Sequence, residues 1–357
     1  MSPTVKRFEP LVSFGYSSQE IAFLDIVTAH SGYFVPNQFL DFTGQKKGRA
    51  LNEFTNKLTG SNHVSFHSYR NGARVYHVFS RKLYQALGRD NLRTRRKHAL
   101  EYIRTRLVTL DFVLGNQPYK FLDGENEKVS FLINRFNVQT EDLPYRTYSN
   151  PRNSTSTLRY FVDRFPLFWT RNGDSEECFV TFTFIDSGQS TIQPFVTHLC
   201  SYKPLFSSLK AFEFIYVAPT SRLFGQAETI FRRLILGMEG GDSANDVRRY
   251  FRIRRAWEAN EPVPGADVVF LKDSRRRFLG NESETLYRQW ASGALSDDKL
   301  SLIWGSRFPA PTVVFRTAIF GRSLSVFQGY RGERSEPESD TRCTKDSATG
   351  SGISPGR

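Results

Sequence analysis

The chain has 357 residues, 39% of them hydrophobic and 14% aromatic, which is enough apolar material for real cores in two or three domains. Its formal net charge is +13 and its pI about 9.7, a balance that favours a polyanionic partner where the charge gathers on one surface. No apolar run reaches the roughly 18–20 residues of a membrane span, and MSPTVKRFEP carries no signal-peptide pattern, so no membrane partner and a cytoplasmic location are expected. The odd set Cys178, Cys200 and Cys343, without a CxxC pair, argues against a disulfide framework and a thiolate zinc site; the three are expected to pack as small apolar side chains.

Residues 1–90 read as a winged helix-turn-helix. In SSQEIAFLDIVTAH, Ser17 or Ser18 caps a helix with Ile21, Leu24 and Val27 on one side. A second, short helix starts at Pro36 and stops at Gly44. A third, in KKGRALNEFTNKLTG, places Leu51, Phe54 and Leu58 on one stripe and Arg49, Asn52, Glu53 and Asn56 on the other, with Lys46 and Lys47 at its start. HVSFHSY and RVYHVFS alternate as strands, and Arg70-Asn71-Gly72-Ala73 between them is a hairpin signal because Asn-Gly tolerates positive φ. In this arrangement Arg49, Asn52 and Asn56 suit purine edges in the major groove. Lys46, Lys47, Lys57, Arg70 and Arg74, with Asn71 at the hairpin tip, suit the phosphate backbone. The same fold also docks proteins, and Glu53 on the exposed face fits that alternative. His63, His67 and His77 lie in or beside the hairpin without a cysteine or a carboxylate at ligand spacing, so no metal is expected there.

SRKLYQALG reads as a short helix leading into a basic hinge with Arg93, Arg95, Arg96 and Lys97, which would extend the phosphate-contacting surface. An amphipathic helix follows, with Leu100, Ile103, Leu107, Leu110 and Leu114 on one stripe, ending near Gly115. From Gly44 to Arg106 fifteen lysines and arginines stand against Glu53, Asp90 and Glu101, a balance of +12 that accounts for nearly all of the chain's excess.

Residues 91–260 are expected to hold a small α/β domain resembling a PD-(D/E)xK nuclease core. GENEKVSFLINRF suggests a helix, LRYFVDRFPLFW a strand containing Asp163, and CFVTFTFIDSG a strand ending at Asp186. TIQPFVTHLCSYKPLFSSL then suggests a helix, FEFIYVA a strand and AETIFRRLILGM a helix. Metal-dependent phosphodiester cleavage needs carboxylates from adjacent strands and usually a lysine. Asp163 could supply the first acid, but Phe184 stands where a second acid belongs and Gly188 where a lysine belongs. The nuclease reading would therefore need Asp163, Asp186 and Lys203 or His198 around Mg²⁺. Otherwise Asp186 caps the turn at Ser187-Gly188 and the chain has no catalytic residue, cofactor or metal.

GYFVPNQFLDFTGQKKGRALNEFTNKL with its hairpin, RYFVDRFPLFW, and FTFIDSGQSTIQPFVTHLCSYKPL together resemble the replication-relaxation family and related accessory proteins of plasmids and integrative elements. Asp186, Gly188 and Tyr202 match the family's strand ending in acid-x-Asp-x-Gly and its following helix, whereas Phe184 departs from it. The resemblance implies a winged helix joined to a nuclease-like domain with an eroded active site, on a mobile element.

Further on, DVRRYFRIRRAWEAN sets five arginines among Tyr250, Phe251 and Trp257, a pattern that either packs a helix on its own domain or stacks on nucleic acid, the first being favoured. Residues 261–330 read as a C-terminal extension with the basic LKDSRRRFLG, a helix in NESETLYRQWASGAL and the apolar run TVVFRTAIF; residues 331–357 read as a disordered tail. No internal repeat, Gly-rich phosphate loop, GxSxG or HExxH occurs. The sequence thus points to a double-stranded DNA-binding protein of replication, mobilisation or transcriptional control, without catalysis. A relaxase or replication protein and a second copy of the chain are its further expected partners. The alternatives are a metal-dependent nuclease or nickase and a protein-docking module.

Overall fold

A computed structural model of the protein describes residues 9–69, 72–89, 92–117, 119–150, 155–160, 162, 164–171, 178–188, 191–236, 243–278, 280–307 and 312–328. The fold mixes helix and sheet. A short α1 (Glu9–Ser13) precedes α2 (Ser18–His30), which begins with a reciprocal cap: the Ser17 hydroxyl accepts from the Glu20 amide at 3.3 Å and the Glu20 carboxylate accepts from the Ser17 amide at 2.7 Å. The helix α3 (Pro36–Thr43) has proline at its first position and ends where Gly44 turns left-handed at φ 67°. It is followed by α4 (Arg49–Gly60) and by the antiparallel strands β2 (Val64–Ser68) and β3 (Arg74–Val78). The two-residue β1 (Tyr33–Phe34) pairs with the other side of β3, giving the order β1-β3-β2.

Alternation along these strands gives the small sheet two different faces. Phe34 and Tyr76 stack at 5.1 Å on the inner face, and Phe34 reaches Phe54 of α4 at 6.0 Å. Phe39 stacks on Phe54 at 4.1 Å and Phe23 of α2 packs edge-on against both Phe34 and Phe39, so one aromatic core holds the three helices to the sheet. On the outer face Tyr33, Val35 and Val75 pack against Leu107, Val326 and Phe327.

After α5 (Arg81–Ala86), the helix α6 (Leu100–Gly115) serves two cores. Leu110 is buried with the head just described, whereas Val108, Phe112 and Val113 are buried in the body that follows. The body contains α7 (Glu125–Phe136), the hairpin β4 (Tyr145–Asn150) and β5 (Thr155–Tyr160), the strands β6 (Leu167–Arg171) and β7 (Cys178–Ile185), α8 (Gln193–Ser208), β8 (Ala211–Ala218) and α9 (Phe224–Leu236). Then come α10 (Ser243–Glu258), α11 (Gly265–Phe278), α12 (Asn281–Ala291), α13 (Asp297–Arg307) and β9 (Thr312–Ile319). The main sheet has the order β6-β7-β8-β9, with β6 antiparallel to β7 and the remaining pairs parallel. Both crossovers into parallel strands carry helices, as parallel pairing requires.

Four sequence expectations change here. The apolar run TVVFRTAIF is β9, a strand of the main sheet, so residues 261–330 are not a separate extension. A boundary at residue 260 would cut off α10, whose Val247, Tyr250 and Phe251 share a core with Phe278, Leu286 and Trp304 of α11–α13; residues 243–307 form one helical insertion in the β8–β9 crossover. The single strand expected in LRYFVDRFPLFW is the end of β5 and the start of β6, with Asp163 outside the described residues. Cys200 is exposed on α8 and does not pack as an apolar side chain. The side chain of Cys178, and Cys343 with the tail 331–357, lie outside the described residues. Among the described residues, no helix is long and apolar enough to cross a membrane.

Candidate nucleic-acid interface

The third helix of the head has the division of faces that its spacing predicts. Leu51, Phe54, Thr55 and Leu58 are buried, and Arg49, Asn52, Glu53 and Asn56 are exposed together with Lys46 and Lys47 just before them. Arg49 donates to the Glu53 carboxylate at 2.6 Å one turn on, an open surface pair that water screens and a phosphate could displace. Arg74 is exposed and lies 4.7 Å over the ring of Phe66. Phe66 pairs with Tyr76 in the strand register, so Arg74 and Phe66 belong to the sheet face that α4 packs against. Helix α4 and this end of the hairpin therefore extend one surface. Arg70 and Asn71, the expected hairpin tip, lie outside the described residues.

Lys57 does not join that surface. Its ammonium is 2.7 Å from the Glu20 carboxylate and 5.3 Å over the ring of Tyr16, so it ties α4 to the start of α2. The hinge lies elsewhere too. Arg93–Arg95 is a turn of 3₁₀ helix whose Thr94 hydroxyl donates to the Thr28 carbonyl at 3.1 Å; the Tyr33 hydroxyl donates to the Arg96 carbonyl at 3.2 Å and accepts from the His98 amide at 3.0 Å. Since Tyr33 stacks on His77 at 4.4 Å on the outer face of the sheet, the hinge runs on the side away from α4. Arg96 and Lys97 are exposed there, Arg95 is half-buried, and the side chain of Arg93 lies outside the described residues.

Acids from outside the basic segment also remove part of its charge. Glu20 pairs with Lys57, and Arg89, itself 7% exposed, bridges Asp25 of the head and Asp123 of the body. The excess of +12 counted along the sequence is thus split between two faces and partly neutralised. Three of the five arginines of α10 follow the packing alternative, Arg249 pairing with Asp267, Arg252 with Asp297, and Arg254 with Glu258 and Glu284; Tyr250 and Phe251 are buried, whereas Trp257 is exposed.

The three histidines do not converge. His63 is buried with its Nδ1 2.8 Å from the Tyr16 hydroxyl, and burial lowers its pKa; His67 is exposed, edge-on to Tyr69; His77 is buried against Tyr33. Among the described residues, no group of three or more histidines, cysteines and acids is placed to hold a metal ion.

Asp186 sits at the end of β7 with 5% of its surface exposed, and both carboxylate oxygens are engaged. Oδ2 accepts from the Tyr216 hydroxyl of β8 at 2.6 Å and Oδ1 accepts from the Gly188 amide at 2.8 Å. Burial, and then this carboxylate, push the Tyr216 phenol far up from its ordinary pKa. Gly188 takes φ 77° and lies so close to Pro219 that an added Cβ would stand 2.5 Å from its Cγ. Phe184, where an acid was sought, packs among Phe165, Phe195, His198 and Tyr216 with ring centroids 5.1–5.6 Å away. His198 is buried in that aromatic cluster, which drives its pKa down to about 3, and Tyr202 packs on it at 4.1 Å. Lys203 points from an exposed position of α8. The geometry around Asp186 is that of a turn cap bonded to a buried tyrosine.

Two features of this region were not found by sequence reasoning. One is the β4–β5 hairpin, whose polar sequence lacks an apolar alternation. The other is a cavity of about 810 Å³ between head and body, lined by His30, Tyr102, Arg106, Lys128, Tyr145 and Arg146 among others. Compared with protein-family models, curated proteins and solved structures, the chain matches none.

Proposed function

We propose that the chain is a double-stranded DNA-binding protein whose head is a winged helix, with α4 as the helix that enters the major groove. The observation that carries this reading is the exposed face of α4. Arg49, Asn52 and Asn56 are the side-chain types that reach purine edges, Lys46 and Lys47 sit at the helix start where phosphates pass, and Arg74 of the hairpin extends the same surface. Order and pairing support it: three helices, then a hairpin whose second strand is joined by a short strand from between the first two helices. In this reading Lys57 positions α4, and the hinge cations Arg96 and Lys97 serve a different face.

We further infer that the body, a nuclease-like α/β domain in this reading, does not cleave. Asp186 spends both oxygens on Tyr216 and Gly188, and aromatic rings occupy the surroundings in which a metal-binding partner would have to stand. From the sequence resemblance we propose an accessory role on a mobile element, in the cytoplasm, with a relaxase or replication partner.

Fluorescence anisotropy on random and selected duplexes, titrated with salt, tests the proposal. Each phosphate neutralised releases condensed counterions, so log affinity should fall linearly with log salt, by roughly 0.9 per contact. Asn52→Ala and Asn56→Ala should reduce the preference for the selected site while leaving the salt slope unchanged. Absent binding, or binding with no salt dependence, overturns the proposal.

A further inference from the structure

We infer that β9 is the surface through which two copies of this chain associate, its open edge pairing antiparallel with the same edge of the second copy so that the two main sheets become one. This edge plays no part in the DNA-binding reading, so the two stand or fall separately.

The two edges of the main sheet end differently. Outside β6 the chain closes the edge itself: the Leu122 amide donates to the Leu167 carbonyl at 2.8 Å, and Phe121 bridges to Phe168. Among the described residues β9 pairs with β8 alone, and no backbone hydrogen bond reaches its other side. The direction of its free groups follows from the end of the strand. The Phe320 amide donates to the Ala218 carbonyl at 3.0 Å, and backbone groups alternate sides along a strand, so the amides and carbonyls of Val313, Phe315, Thr317 and Ile319 point away from β8. One face holds the strand in place, where Phe315 packs on Phe231 of α9 with ring centroids 4.7 Å apart. Val314, Arg316, Thr317 and Ile319 are nevertheless exposed, Ile319 to 62%.

Unpaired amides and carbonyls template a further strand, and edges of this kind are ordinarily guarded by lysine, proline or a bulge. The eight residues TVVFRTAI contain neither lysine nor proline, and their register with β8 runs without interruption. Their one charge is turned back into its own sheet: Arg316 Nε lies 2.8 Å from the Glu213 carboxylate of β8, whose other oxygen accepts from the Thr181 hydroxyl of β7 at 2.9 Å. A chain of net charge +13 thus presents one edge with little charge to repel its own copy and none to select an acidic or basic partner. What the edge offers is self-complementarity. A two-fold axis through Thr317 sets that residue opposite itself, exchanging both backbone hydrogen bonds, and sets Phe315 opposite Ile319 and Arg316 opposite Ala318. The exposed Ile319 then gains an aromatic neighbour and the two arginines stay apart. An axis through Arg316 would oppose like charges, which destabilises a strand pair. Because the β6 edge is already closed, pairing at β9 uses the open edge once on each copy and stops at two.

Sedimentation equilibrium of the full chain without DNA, at up to about 100 μM, should give a mass rising from 41.0 kDa toward twice that value. Thr317→Lys, at an exposed position, sets two like charges opposite each other across the axis. Thr317→Pro removes a donor that points away from β8, a place where an edge strand tolerates proline. Both should keep the circular dichroism of wild type and weaken association roughly tenfold or more, the proline because a two-fold pair loses two hydrogen bonds at once. Thr317→Val, which keeps the amide and the β-branch, should associate as wild type does. A wild type that stays at 41.0 kDa throughout overturns the inference, and so does a dimer that Thr317→Lys leaves intact, whether or not Thr317→Pro folds. With no DNA present, either result leaves the proposed function standing; a dimer that binds no duplex would overturn that function and keep the interface.

Discussion

Removing the Asp186 carboxylate distinguishes a turn cap from a catalytic acid, because the two roles predict opposite changes. In Asp186→Ala the Tyr216 hydroxyl loses a 2.6 Å acceptor and the Gly188 amide a 2.8 Å acceptor. A hydrogen bond to a charged group contributes about 1.5–3 kcal/mol, and a buried donor left without an acceptor costs about 1–3 kcal/mol. Tyr216 is 1% exposed and has no access to water, whereas Gly188 is half-buried and can turn toward solvent. The sum is a loss of about 3–4 kcal/mol from the body. Asp186→Asn, which retains an acceptor for one of the two donors, should lose about half as much. Urea unfolding of the full chain, followed by tryptophan fluorescence, measures both. Supercoiled plasmid incubated with Mg²⁺ or Mn²⁺ should show no nicking by wild type or by either variant. The reasoning fails if Asp186→Ala is as stable as wild type, or if wild type nicks DNA and the variant does not.

Three further perturbations test how the fold holds its charges and turns. His30 and His198 are buried, and burial holds each near pKa 3 against an ordinary 6.5. The unfolded chain therefore takes up protons that the folded chain refuses, so stability present above pH 6.5 should be lost as pH falls toward 3, by up to about 1.4 kcal/mol per pH unit for each histidine. Urea midpoints between pH 7 and 4 measure this slope, to which the buried His63 and His77 add in the same direction; His198→Phe, set among Phe165, Phe184 and Phe214, should remove its own contribution, and a flat profile would refute the burial argument. Arg89→Met leaves Asp25 and Asp123 without their shared cation. The loss should be about 2–3 kcal/mol, below the roughly 3–5 kcal/mol of a fully buried pair because both acids keep about a third of their surface in water, as read from thermal melts at low and high salt. Gly188→Ala combines a left-handed backbone with a Cβ 2.5 Å from Pro219, while Gly15→Ala, at φ 79° with open space around it, has only the backbone cost of about 1–2 kcal/mol. A melt in which the two variants are equally destabilised would show that the Pro219 contact is irrelevant.

What could be read in the sequence was the local part of the structure. The cap at Ser17, Pro36 at a helix start, Gly44 at a helix end and the Leu51-Phe54-Leu58 stripe are signals carried within a few residues, and each is realised. The misreadings involve partners distant in sequence. Lys57 reads as a phosphate ligand because Glu20 is 37 residues away, and the count of +12 takes in Arg89 although Asp25 and Asp123, 64 and 34 residues away, neutralise it. TVVFRTAIF has no period that would separate a strand from a buried helix, and its place beside β8 depends on a helical insertion of 65 residues closing over it. The β4–β5 hairpin is illegible for a different reason: hairpins are recognised by apolar alternation, and the run of tyrosine, threonine, serine and arginine in these two strands has none. Asp186 fits two roles in the sequence because a carboxylate followed by Ser-Gly is compatible with either, and the Tyr216 hydroxyl that it accepts from belongs to a residue thirty positions on.

The way head and body are joined bears on how surfaces on the two parts would work together. Helix α6 buries Leu110 in one core and Val108, Phe112 and Val113 in the other, so the two parts share a rigid element. Arg89 ties Asp25 to Asp123 across the junction, Asp111 of α6 accepts from the Gln38 amide of α3 at 2.7 Å and from the Ser323 hydroxyl at 2.8 Å, and Phe327 packs on Tyr69 of the head. Burial raises the pKa of Asp111 against these hydrogen bonds, which hold the carboxylate in place between three segments. Two weak contacts linked through a flexible tether gain only what the tether's effective concentration allows, whereas contacts held at a fixed spacing gain more when the duplex matches that spacing and nothing when it does not. With the junction built this way, Arg89→Met removes only one of its ties, so the spacing of head and body should persist while stability falls, a separation that small-angle scattering and a melt on the same variant would read side by side.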